Sequence, residues 1–237
     1  MLTQTTRSLI ELGWGDRVQR AKDAHGFAEV SFHWGHSFPR VDALRDAAVD
    51  LARTEGFSHL LFLDADMVWP TDVLVRMLAH HDRGIVGGLY VMRHPPYAPV
   101  ALRDKFRAEG SSVDQFYHAQ LTESREDGLI PVDVLGMGCT LIPLAVFDAI
   151  GDRPWFEYKN DDAGWPVVTE DVPFCTKAKA AGFSVWLDPS ISCGHVTTQV
   201  TDARWHQRWM QQAADVAERM PISVTVRDPK LEPVCLP

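Results

Sequence analysis

The sequence predicts an α/β domain in which a mostly parallel, doubly wound central sheet is flanked by helices, with a small antiparallel part. Two observations predict it. Residues 59–63 and 84–90 are apolar runs of strand length that do not alternate, the pattern of strands buried on both faces. Helix-forming stretches precede the first run and separate it from the second, which is the order of a wound sheet. A chain of 237 residues, 46% of them hydrophobic, can bury a sizeable core. No repeat, linker or low-complexity stretch divides it, so residues 1–237 are expected to form one domain, with 201–237 a C-terminal helix and tail.

The elements are expected in this order. Residues 5–12 suit a short helix and 28–32 a strand. Leu44, Ala47, Ala48 and Leu51 fall at helical spacing in 41–53, and Gly56 ends that helix. The strand at 59–63 runs straight into Asp64. Pro70 and Thr71 announce a helix over 72–80, with Thr71 as N-cap. After the strand at 84–90, turn residues dominate from 93 to 131, with edge strands near 97–103 and 113–120. Order returns at 132–142, where Gly136 and Gly138 inside a strand pattern predict a bulge or a close backbone approach to a ligand. Pro143 opens a helix to about 150, and a further helix covers 170–181. Short strands follow at 183–187 and 191–193. A terminal helix over 202–220 carries Trp205 and Trp209, expected to pack on the sheet, with an aromatic platform for an acceptor or a partner surface as the alternatives.

Net charge and cysteine use narrow the function classes. A net charge of −9 and a pI near 5.5 argue against broad electrostatic binding to nucleic acid or anionic membrane. A local basic site stays open. Cys139, Cys175, Cys193 and Cys235 show no C-x-x-C or zinc spacing and are read as reduced thiols. The expected location is cytoplasmic, since no apolar run approaches a membrane span and the N-terminus lacks a signal-peptide core.

Three groups carry chemistry. Asp64 and Asp66 directly follow a buried strand, and ligands of open α/β sheets bind beyond the carboxyl ends of strands. Two hard oxygens there suit Mg²⁺ or Mn²⁺ shared with substrate phosphates. The triplet alone is weak, because chance gives about two D-x-D triplets in such a chain. Its weight comes from the strand before it. Glu170 and Asp171 follow Thr169, read as the N-cap, at a helix start, where acids are electrostatically favoured in any case; the functional alternative is a general base. His195 follows Gly194 at the end of a short strand, and imidazole is acceptable to Mn²⁺. Glu126 and Asp127 lie in a loop and are read as surface charge.

These residues resemble the family-2-like glycosyltransferases of GT-A fold, including versions found in phage and bacterial genomes. The stretches that carry the resemblance are HLLFLDADMVWPTDVLVRMLAH, GIVGGLYVMRHPPYAPVAL, VDVLGMGCTLIPLAVFDAI, PWFEY and TEDVPFCTKAKAAGFSVWLDPSISCGHV. The resemblance implies a GT-A-like, Rossmann-like sheet. It also implies metal-dependent, inverting transfer of a sugar from a UDP- or GDP-sugar to a glycan or other hydroxyl acceptor, and its phage versions leave modified DNA open as an acceptor, without support from the charge. Asp66, assisted by Asp64, then resembles the metal and diphosphate ligand, and His195 the late metal-binding histidine. Asp171 resembles the catalytic base with Glu170 beside it. Arg45 resembles a donor-site arginine, Arg93 a residue facing phosphate, and Gly136 and Gly138 the floor of the sugar or acceptor site. The strand that ordinarily opens such a fold and holds the base is expected to be shortened or missing, because residues 1–12 read as helix. Two rivals stand beside this expectation: a metal-dependent nucleotidyltransferase, and a non-catalytic sugar-nucleotide or glycan-binding module.

Overall fold

The computed structural model describes residues 19, 22–26, 40–107, 115–122, 127–160, 164, 166–197 and 200–207. The expected helix at 5–12, the strand at 28–32, Cys235 and most of the terminal helix, Trp209 included, lie outside the described residues; 203–207 are helical.

The chain order is α1 (Val41–Thr54), β1 (His59–Leu63), β2 (Met67–Val68), α2 (Val73–Leu78), β3 (Ile85–Leu89), β4 (Ala101–Phe106), β5 (Gln115–His118), β6 (Ile130–Val132), β7 (Val134–Leu135), β8 (Cys139–Pro143) and α3 (Leu144–Ile150), then β9 (Lys159–Asn160), β10 (Pro166–Val168), α4 (Asp171–Ala180), β11 (Val185–Ser192), β12 (Gly194–Val196) and β13 (Val200–Thr201). The central sheet has the order β1-β8-β3-β11-β6. Two three-stranded sheets, β13-β12-β2 and β5-β4-β7, and the pair β10-β9 complete the fold.

The expected mostly parallel, Rossmann-like and GT-A-like sheet is not what forms. Only β3 and β11 pair in parallel; β1–β8, β8–β3 and β11–β6 are antiparallel. The smaller sheets are antiparallel throughout. β1 and β3 do run in the same direction, because both are antiparallel to β8, but β8 separates them. An apolar run reports burial and does not report the direction of its neighbours. Even the burial differs between the two runs. β3 is buried along its whole length, whereas every residue of β1 keeps some surface at the edge of the described sheet.

Helices α1, α3 and α4 pack against this sheet around an aromatic centre. The Phe156 and Phe174 rings stack 4.4 Å apart, and Phe147 stacks on Phe174 at 5.4 Å. All three are essentially inaccessible, as are Trp155 and Ile142 nearby. α1 buries polar residues as well as Val49 and Ala52: Asp42, Arg45 and Asp46 are each about nine-tenths or more covered. Asp46 Oδ1 accepts the backbone N–H groups of Trp155 and Phe156, which fixes the loop ahead of α4. α2 begins after Asp72, one residue later than expected, without a side-chain cap from that residue.

Candidate active site

The parallel pair and the shared direction of β1 and β3 put the ends of β1, β3 and β11 on one side of the sheet, where antiparallel β8 begins. Backbone bonds stitch this rim together. Asp64 N–H donates to Gly138 O at 3.1 Å, and Cys193 N–H donates to Leu89 O at 2.7 Å. The chain leaving β1 turns at Asp64 and forms β2, which pairs with β12 so that His195 lies opposite Met67. Val196 N–H donates to Asp66 O at 2.7 Å. Two residues far apart in sequence, Asp66 and His195, thereby become neighbours through a short antiparallel ladder.

His195 is oriented from behind. Its Nδ1 lies 2.8 Å from Val91 O, and since a carbonyl only accepts, Nδ1 carries the hydrogen and Nε2 presents a lone pair. Nε2 lies 3.8 Å from Asp66 Oδ2 and accepts a hydrogen bond from Arg93 Nε at 2.9 Å. The other end of the same guanidinium pairs with Asp66. Burial holds the imidazole pKa below its ordinary value and the Arg93 charge adds to this, which keeps the ring neutral near pH 7. Tyr90 supports the ring edge-on, with centroids 5.5 Å apart.

Arg45 joins the two acidic motifs. One terminal nitrogen donates to Asp64 Oδ1 and Oδ2 at 3.2 and 3.1 Å. The other lies 2.8 Å from Glu170 Oε1, an ion pair without hydrogen-bond alignment. The guanidinium also sits near the Phe62 and Phe156 rings, 5.7 and 6.0 Å from their centroids. Arg45 and Glu170 are each about nine-tenths buried, so this pair exists in a low-dielectric setting. Both charged ends of Arg45 are engaged within the protein, which makes it an organiser of Asp64 and Glu170; the resemblance had implied a donor-site contact. Tyr158 lies against Glu170, and its phenol is pushed up to about 12, first by burial and then by that carboxylate.

The first acid of each motif is thus tied to Arg45, and the second is left for other work. Asp171 is the first residue of α4. Thr169 does not cap that helix as expected; its hydroxyl donates to Asp171 Oδ1 at 2.5 Å, and Val172 N–H donates to the same oxygen at 3.0 Å. Among the described residues Oδ2 has no hydrogen-bond partner. The residue keeps some surface, yet the carboxylate is densely surrounded. Burial, followed by the Glu170 charge, pushes its pKa up to about 6.

Gly136 and Gly138 do serve a close approach, and the group that approaches is Tyr90. A Cβ on Gly136 would fall 2.0 Å from the Tyr90 hydroxyl, and one on Gly138 would fall 3.0 Å from Tyr90 Cζ. Gly138 N–H donates to that hydroxyl at 3.3 Å. Tyr90 is buried, and its phenol pKa is raised first by burial and then by the charges of Asp64 and Asp171. Sequence reasoning missed Tyr90 and Tyr158. The first offered only an aromatic at the end of an apolar run, and the second sat unremarked in the PWFEY stretch.

Among the described residues no group of three or more histidine, cysteine or acidic side chains is arranged to hold a metal. The donor chemistry at Asp66 and His195 nevertheless fits Mn²⁺ better than Mg²⁺: a carboxylate oxygen lies 3.8 Å from an imidazole nitrogen, and imidazole is less typical of Mg²⁺. Such ions are commonly held by one or two protein groups, with water and substrate phosphates completing the shell. Asp64 pairs with Arg45 and keeps part of its carboxylate exposed.

No family model matches this sequence, and no curated protein matches it. Among solved structures, the chain is similar to the protein described as A197 from STIV, with a TM-score of 0.45 and 18% identity over 76% of this chain and 78% of that one.

Proposed function

We propose that the chain is a metal-dependent glycosyltransferase that moves a sugar from a UDP- or GDP-sugar to an acceptor hydroxyl with inversion. The observation that carries this reading is the state of Asp171. One of its oxygens is fixed by Thr169 and Val172, the other has no hydrogen-bond partner among the described residues, and its pKa of about 6 lies near neutrality. These are the properties of a general base poised to accept a proton at pH 7.

The mechanism follows from the two halves of the rim. Asp66 and His195 would hold the divalent cation, which when bound neutralises charge on the leaving diphosphate. Arg45 fixes Asp64 and Glu170 and so keeps the D-x-D turn and the start of α4 in register. Asp171 Oδ2 takes the proton of the acceptor hydroxyl. The acceptor oxygen bonds to the anomeric carbon from the face opposite the leaving group. The bond from that carbon to the diphosphate oxygen breaks, and its electron pair leaves with the nucleoside diphosphate. Protonated Asp171 then returns its proton to solvent. The Glu170 carboxylate, paired with Arg45, lies beside Asp171 and helps to raise its pKa.

The test is Asp171→Asn. Transfer should fall by about 10²–10⁴-fold, the usual share of general base catalysis, while nucleotide-sugar binding measured by thermal shift with Mn²⁺ persists. Near-normal transfer by this variant would remove Asp171 from the mechanism.

A further inference from the structure

The pair assigned to the cation is already bridged by a cation of the protein's own. Arg93 Nε donates to His195 Nε2 at 2.9 Å, and its terminal nitrogen pairs with Asp66 Oδ2. A guanidinium is a planar fork of donors and can span two acceptors that a point charge cannot. Here it spans two groups 3.8 Å apart. Among the described residues Arg93 has no other polar partner.

We propose that Arg93 is a stand-in for the divalent cation: it occupies Asp66 and His195 until the cation arrives, then passes to the diphosphate. This rests on reading the rim as a nucleotide-sugar site. The reason is exclusion. An imidazole with Nδ1 engaged by Val91 has one lone pair left, on Nε2, and that lone pair cannot accept from Arg93 and bind a metal together. Metal entry therefore releases a guanidinium beside a doubly charged ion, which is unfavourable unless an anion accompanies it. A diphosphate meets both needs, bridging the ion and accepting from the released fork. Cation and diphosphate should then bind cooperatively, each raising the other's affinity by the same factor. Before substrate arrives, the acidic rim carries a built-in neutralising charge and holds metal weakly.

The experiment uses the full chain and two probes. Mn²⁺ alone is titrated by the paramagnetic resonance signal of the free ion, and radiolabelled inorganic pyrophosphate is followed by equilibrium dialysis with and without Mn²⁺. Arg93→Gln should bind Mn²⁺ alone about tenfold more tightly than the natural protein and lose most of the gain that Mn²⁺ gives to pyrophosphate. Arg93→Lys, which keeps the charge but cannot span both acceptors, should also bind Mn²⁺ more tightly and guards against loss of the fold in the first variant. Asp66→Asn should abolish the tighter binding. Unchanged or weaker Mn²⁺ affinity in both Arg93 variants, with the natural protein still binding Mn²⁺ and pyrophosphate, would overturn the stand-in role and leave the donor-site reading intact. Tighter binding that survives Asp66→Asn would also overturn it. Absence of Mn²⁺ binding in every protein, with and without pyrophosphate, would remove the metal reading as well.

Discussion

At the scale of single residues, burial and pairing decide which acids can do chemistry. Asp171 titrates near 6 because desolvation and Glu170 both penalise its charged form. If it is the base, kcat/KM should rise through about pH 6 and level off above it, and a profile flat from pH 5 to 8 would contradict the role. The same shift has a stability consequence. A folded-state pKa above the unfolded value of 3.8 means that folding favours the protonated acid. The advantage is complete below pH 3.8 and is lost as the pH rises through about 6. Asp171→Asn should therefore be more stable than the natural protein at pH 8, by up to about 3 kcal/mol and less where solvent screens the carboxylate. Denaturant melts at pH 5 and 8 measure this, and a gain no larger at pH 8 than at pH 5 would count against it. Arg45 predicts the opposite sign. Removing its charge leaves Glu170 buried and unpaired, so Arg45→Ala should cost about 3–5 kcal/mol. Adding Glu170→Gln should recover part of that loss in a double-mutant cycle.

At the scale of elements, the glycines of the turn between β7 and β8 are explained by Tyr90. Gly136→Ala should destabilise by about 1–3 kcal/mol through overpacking. Its Cβ would meet the Tyr90 hydroxyl at 2.0 Å and Val100 Cγ1 at 2.7 Å. Tyr90→Phe removes the nearer atom and should relieve much of the defect in the double variant, read from urea midpoints. If it does not, the glycine is needed for something other than Tyr90. The helices and most strands were legible, because hydrophobic spacing is local: 41–53 was expected and Val41–Thr54 is found. The glycine signal was legible as a close approach, but its partner was not, since Tyr90 lies 46 positions before Gly136 and meets this turn, which interrupts the expected strand, only after the sheet forms. Thr169 looked like a cap because helix starts favour hydroxyl side chains; its hydroxyl instead serves the acid two residues on.

At the scale of the whole molecule, the gap between sequence and structure is one of partner choice. The strand-helix-strand order gave the right direction for β1 and β3 and the wrong neighbours, because nothing local announces that β8 will return between them. Which candidate residues come together was more legible than the sheet: Arg45 joins Asp64 to Glu170, the neighbour of Asp171, and Arg93 pairs with Asp66 beside His195. What spacing could not show was the division of labour, in which the first acid of each pair is bound to Arg45 and the second is not. The proposed reaction is sugar transfer at this rim with a metal and with Asp171 as base. The most direct measurement incubates the protein with Mn²⁺ and a panel of UDP- and GDP-sugars and identifies the phosphate product. The expected result is release of a nucleoside diphosphate from one donor, lost on chelation by EDTA and in Asp171→Asn. Pyrophosphate as the product, or nucleoside diphosphate release untouched by both EDTA and the Asn substitution, would contradict it.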